Sequence, residues 1–186
     1  MRIIAGAFKG KKILQPNDLK TRPLKDLVKE SIFNIINHSN KLSSTIEGAV
    51  VLDLFAGVGS FGLECLSRGT KFVTFVENYK EVLPILKKNI NSLKLKNKFD
   101  IIEKDILNNF KDIKFDQTYE IIFLDPPYKE QNIEQILYNI LNKKILEQNG
   151  MIILHRHKNQ TDKLPKNLKI IEEKRYGISK VIFAKI

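Results

Sequence analysis

The chain has 186 residues, 42% of them hydrophobic and 28% charged, which suits one globular domain with a modest extension. A single cysteine, Cys65, excludes a disulfide framework. No apolar run approaches the roughly 20 residues of a membrane span, and MRIIAGAFKGKK lacks the apolar core of a secretory leader, so a cytoplasmic protein is expected. The formal net charge of +11 favours a polyanionic partner, although lysine is abundant throughout and its placement says more than its total.

Residues 2–15 read as two short strands, RIIAGAF and KKILQ, joined near Lys9 and Gly10. Arg2, Lys9, Lys11 and Lys12 are basic, and no acidic residue precedes Asp18. A basic hairpin outside the main sheet is read as a grip for RNA. After Thr21, Arg22 and Pro23, the residues Leu24, Leu27, Val28, Ile32, Ile35 and Ile36 recur at steps of three and four, which predicts a helix over 24–37 with one apolar face. The stretch 39–48 is polar and serine-rich and reads as a linker. The chain therefore divides into an N-terminal extension, 1–45, and a main domain, 46–186.

The stretch VVLDLFAGVGSFGLE opens that domain. Its apolar run predicts a strand covered on both faces, with Asp53 near the carboxyl end, a turn at Gly57 and Gly59, and the start of a helix. Glycine lets backbone turn sharply and approach a ligand, and a helix start offers free N–H groups. Glu77, at the end of the next apolar strand, stands where a ribose-binding acid is expected. Gly57-x-Gly59-x-x-Gly62 is compatible with a nicotinamide or flavin dinucleotide and with S-adenosylmethionine, since each presents a ribose diol.

The pattern continues with a helix over 61–67, a strand over 72–76, a helix over 80–93, a strand over 99–103 followed by Asp105, and a strand over 121–124. That last strand runs into Asp125-Pro126-Pro127-Tyr128. A dehydrogenase has no obvious use for this tetrapeptide, whereas an enzyme that methylates an amino group has one. The exocyclic amine of a base is a poor nucleophile because its lone pair is delocalised into the ring. Asp125 and the Pro126 carbonyl can each accept one N–H, which favours the transition state where nitrogen becomes sp³ and positive. The prolines stiffen the loop, and Tyr128 offers a stacking face worth about 1–3 kcal/mol.

A helix over 133–142, a strand over 151–154 and a terminal strand pair, 168–172 and 178–184, complete the chain. His155-Arg156-His157-Lys158 reads as a basic loop near the active edge; without a partner motif its histidines predict no metal site. Alternating strands and helices imply a mostly parallel sheet with helices on both faces. Cys65 is expected in the core.

Taken together, the opening RIIAGAFKGKKI, TRPLKDLVKESIFNII, LDLFAGVGSFGLECLSRG, FVE at 75–77, LDPPY, and Tyr176-Gly177 before the last strand resemble the bacterial small-subunit ribosomal RNA guanine-N2 methyltransferases, the RsmD family. The resemblance implies an α/β, Rossmann-like class I methyltransferase that uses S-adenosylmethionine on a guanine of 16S rRNA. It implies that Asp53, Phe55, Ala56, Gly57 and Gly59 line the methionine and ribose side, that Glu77 holds the ribose hydroxyls, that Asp105 faces the adenine amine, and that Arg22 approaches the cofactor. Asp125, Pro126 and Tyr128 then hold the guanine. Leu27 departs from an arginine usual in the family, and His155 from an acidic residue. The rivals are adenine-N6 methylation of DNA, glutamine methylation of a protein, a nicotinamide dehydrogenase and a non-catalytic RNA-binding module. A monomer is the expected state.

Overall fold

The computed structural model describes residues 1–16, 24–40, 42 and 45–186. Its centre is strand β1 (Val50–Leu54), every residue of which is buried. Successive side chains of a strand point to opposite faces. Val51 accordingly joins one apolar cluster, while Val50, Leu52 and Leu54 join another.

Helices cover both faces. On the first lie α1 (Asp26–His38), α2 (Ser60–Ser67) and α3 (Leu83–Ser92), which contribute Val28, Ile32, Phe33, Phe61, Leu86 and Ile90. On the second lie the short helical turn at Phe110–Asp112 and α4 (Ile133–Asn142). No helix of the described residues is long and apolar enough to cross a membrane.

The remaining strands are β2 (Phe72–Val76), β3 (Phe99–Ile102), β4 (Tyr119–Leu124), β5 (Leu146–His157), β6 (Lys169–Tyr176) and β7 (Ser179–Lys185). Their spatial order is β3-β2-β1-β4-β5-β7-β6. All pairs are parallel except β5–β7 and β6–β7. From β1 the chain first builds outward through β2 and β3, then returns to build the other half from β4. A crevice opens at such a reversal, beyond the carboxyl ends of the strands. Here the reversal lies between β1 and β4, where Leu54 pairs with Leu124. The glycine turn after β1 and the Asp-Pro-Pro-Tyr loop after β4 are therefore neighbours.

Three expectations change in detail. The helix expected from residue 80 starts at Leu83, with Pro84 in its first two positions, because a proline lacks the N–H that an interior position needs. The paired strands expected over 2–15 shorten to an antiparallel pairing about the Arg2–Lys12 bridge, with Ile3 N on the Lys11 carbonyl at 2.9 Å and Ile13 N on the Met1 carbonyl at 3.1 Å. The amides of Ile4 and Ala5 donate instead to the carboxylate of Glu64 on α2, at 2.7 and 2.9 Å, so they are not available to an opposite strand. Third, the basic loop expected at 155–158 is largely strand. β5 runs on to His157 because residues 152–157 pair with β7, and His155 and Arg156 are buried in the sheet.

Candidate active site

The turn after β1 is built from left-handed backbone. Phe55, Gly57 and Gly59 have φ of 60°, 55° and 85°. Phe55 is the one with a side chain, and such a conformation costs of order 1–3 kcal/mol unless its surroundings enforce it. Its flanks are held: the Ala56 amide donates to the Val76 carbonyl at 3.0 Å, and that of Gly59 to the Ala56 carbonyl at 2.8 Å. Gly62 has a packing role, since a Cβ there would stand 2.3 Å from the Phe75 ring. Its absence lets α2 lie directly on β2.

Carboxylates occupy the amides of this turn. Asp53 Oδ2 accepts from Gly62 N at 3.0 Å, and Glu77 Oε2 accepts from Gly57 N at 2.6 Å. Glu77 Oε1 accepts from the amides of Asn78 and Tyr79, both at 2.9 Å. Asp105 organises the turn after β3, accepting from Leu107 N and Asn108 Nδ2, each at 2.8 Å. Burial pushes the Asp53 carboxyl up to about 8, against the lowering effect of the Gly62 amide; the charges of Asp125 and Glu77 add to the rise.

Asp53, Glu77, Asp105 and most of the turn after β1 line one cleft of about 410 Å3, within the range of small-molecule sites. Its walls include Asp53, Phe55, Ala56, Gly57, Glu77 and Asp105 on one side and Asp125, Pro126, Pro127 and Tyr128 on the other. Gly59 shapes the turn without lining the cleft. Arg22 lies outside the described residues.

In a chain of net charge +11, the cleft wall carries four carboxyl groups, of which Asp53 is held protonated by burial below about pH 8, and, among the described residues, one basic side chain, Lys104. The amides of Gly57, Gly59 and Gly62 already donate within the protein. The acidic lining suits a ribose-bearing cation better than an anionic pyrophosphate.

The Asp-Pro-Pro-Tyr loop is gripped from β5 and β7. His155 Nδ1 lies 2.8 Å from Asp125 Oδ1. Arg156 donates to the Pro127 carbonyl at 3.2 Å and to the Glu130 carbonyl at 2.6 Å, while its other bonds, 2.8 and 2.9 Å, go to the Asp162 carboxylate. Gln160 Nε2 donates to the Tyr128 carbonyl at 2.8 Å, and the Tyr128 hydroxyl meets Ser179 Oγ at 2.7 Å. The Tyr128 ring stands edge-on to His157, with centroids 5.1 Å apart.

Sequence reasoning missed this clamp. The available signal was that IILHRH continues an apolar strand without any glycine or proline to end it. It also missed Glu64, a lone carboxylate in the otherwise apolar SFGLECLS, which is the mark of a buried pair. Glu64 ties the N-terminal segment to α2, together with Lys29 at 3.6 Å and Arg68 at 2.8 Å.

Of the basic N-terminal residues, Arg2, Lys9 and Lys12 are exposed, and Lys11 is half-buried with its ammonium on the Ser92 carbonyl. None lines the cleft. The segment abuts it through Lys29, whose ammonium reaches both the Arg2 carbonyl at 2.8 Å and the hydroxyl of cleft-lining Ser60 at 3.4 Å. Leu27 is 71% exposed on α1.

A family model described as conserved hypothetical protein 95 matches residues 1–185. The chain is 35% identical over 179 residues to ribosomal RNA small subunit methyltransferase D of Haemophilus influenzae, covering 96% of this chain and 90% of that one. Against the protein of the same name from Buchnera aphidicola (Acyrthosiphon pisum strain) it is 34% identical, covering 92% and 86%. Among solved structures, a candidate methylase from Haemophilus influenzae superposes with a TM-score of 0.77 at 33% identity, covering 99% of this chain and 97% of that one. A candidate methyltransferase from Escherichia coli reaches 0.82 at 26% identity, covering 99% and 96%.

Proposed function

The chain belongs to the conserved hypothetical protein 95 family, the RsmD family, and from that premise we propose that it transfers a methyl group from S-adenosylmethionine to the exocyclic N2 amine of a guanine in 16S rRNA. The observation that carries this reading is the single cleft joining the glycine turn, Glu77 and Asp105 to the Asp-Pro-Pro-Tyr loop. The first group suits a cationic, ribose-bearing cofactor and the second a base amine.

Bound S-adenosylmethionine supplies a methyl already activated on a sulfonium, so the protein's task is orientation and charge stabilisation. Asp53 and the 55–59 turn hold the methionine and ribose side. A carboxylate has about four acceptor sites, and Glu77 uses three on backbone amides, so its plane is fixed and one site is left for the ribose diol. Asp105 faces the adenine amine.

On the other wall, Asp125 and the Pro126 carbonyl accept the two N–H bonds of the guanine amine as nitrogen gains positive charge. Tyr128 presents its ring to the unstacked base. After transfer the surplus amine proton leaves to Asp125 or to water. Replacement of Asp125 by alanine is expected to lower turnover strongly while leaving cofactor affinity nearly intact, which calorimetry beside a methylation assay checks.

Arg2, Lys9, Lys11 and Lys12 grip the RNA backbone, and residues 1–45 act as the RNA-facing extension of a methyltransferase domain at 46–186. The enzyme works in the cytoplasm as a monomer, on the small subunit or an assembly intermediate. The test is nucleoside analysis of 16S rRNA from a strain deleted for its own guanine-N2 enzyme. Return of N2-methylguanosine when this chain is supplied supports the proposal; its continued absence, with the protein expressed and folded, refutes it.

A further inference from the structure

We propose that His155 is a positioning residue for Asp125, holding that carboxylate in the rotation that receives the substrate amine. The inference rests on the methyl-transfer reading above. It begins from the sheet. Leu124 pairs with Leu154, so Asp125 and His155 stand side by side one residue further on. The contact is Nδ1 to Oδ1 at 2.8 Å, with the histidine 1% and the aspartate 13% exposed. Water competes little for a bond so placed.

The imidazole is anchored by its strand and by its neighbours. His155 sits within β5, paired through Val181 to β7 on one side and beside β4 on the other. Its ring also packs edge-on to Tyr128, with centroids 6.3 Å apart. Asp125 stands where β4 ends and the proline loop begins, with its amide on the Leu54 carbonyl at 3.3 Å. The strand-held ring therefore sets the rotation of the Asp125 carboxylate, while the backbone sets its position. An apolar side chain would satisfy packing at a buried strand position, whereas histidine adds a directed donor.

In the proposed arrangement Nδ1 carries the proton and donates to the Asp125 side chain, which accepts. That bond sets the plane of the carboxylate, and with it the direction of the lone pairs offered to the cleft. Misplacement of a catalytic group by about 1 Å can lower rates about 100-fold. His155 touches no reacting atom in this scheme and acts through Asp125 alone.

Two variants and one spectrum test it. In H155N the amide nitrogen stands close to the position of Nδ1 and keeps the donor, while H155L removes it. H155L is expected to lower kcat about 10–100-fold, with KM for RNA and affinity for S-adenosylhomocysteine changed less than about twofold. H155N is expected to restore most of kcat, which a merely space-filling role does not predict. Nitrogen-15 spectra of the unaltered protein at pH 8 should show the Nδ1–H tautomer at His155.

An Nε2–H tautomer overturns the proposal whether or not H155L folds. So does wild-type kcat in H155L, or a fall in H155N as deep as that in H155L. Should the unaltered protein fail to methylate guanine N2, the reading of the reaction falls, while the tautomer still decides whether His155 orients Asp125.

Discussion

Asp53 carries an unusual protonation burden for so small a site. Its folded-state value of about 8 lies above the ordinary 3.8, so between about pH 4 and pH 8 the folded protein holds a proton that the unfolded chain has released. That component of stability is full below about pH 4 and is lost as pH rises through about 8. D53N keeps an acceptor for the Gly62 amide and never ionises. Its ligand-free melting temperature should therefore fall less between pH 5 and pH 8 than that of the unaltered protein; parallel curves would contradict the assignment. Gly62 makes a second prediction at this scale. The Phe75 ring already fills the place of a Cβ, so G62A must shift α2 or the ring, at a cost of about 1–3 kcal/mol that thermal unfolding would show.

At the scale of elements, the N-terminal segment is held both by its own backbone bonds, such as Ile3 N to the Lys11 carbonyl at 2.9 Å, and by α2. Glu64 accepts the amides of Ile4 and Ala5 and pairs with Lys29, whose own ammonium burial pushes below the ordinary lysine range. E64Q leaves Lys29 buried without its main counter-charge, so stability should drop by about 3–5 kcal/mol. Hydrogen exchange at the Ile4 and Ala5 amides should accelerate beyond the global change; exchange that merely follows global stability would contradict the docking role. This is also where sequence reading reaches its limit. A continuous apolar run sufficed for β1 and β2, and helical periodicity for α4. Neither sufficed at 2–15, because the partner of those amides is a side chain 60 positions away. Nor did they reveal the partners of His155 and Arg156, Asp125 and Asp162. The site residues that motif reading found, Asp53, Glu77, Asp105 and Asp125, converge on one cleft because parallel strands end level; the strand that carries the clamp could be followed through IILHRH, but the bonds that make the clamp leave no spacing.

For the molecule as a whole, charge is divided by role. The surface accounts for a net +11, while the cleft wall is dominated by carboxylates. A polyanionic RNA is thus drawn to the protein and a cationic cofactor to its crevice. RNA affinity should fall steeply as salt rises from about 50 to 200 mM. Charge reversal at Arg2, Lys9 and Lys12 should flatten that slope without altering cofactor binding, which filter binding beside calorimetry can separate. The most direct measurement supplies labelled S-adenosylmethionine with small subunits from a strain lacking its own guanine-N2 enzyme, alongside duplex DNA, and digests the products to nucleosides. Label in N2-methylguanosine is the predicted result; label in N6-methyladenine of the DNA, or in neither substrate with the cofactor bound, would contradict the account.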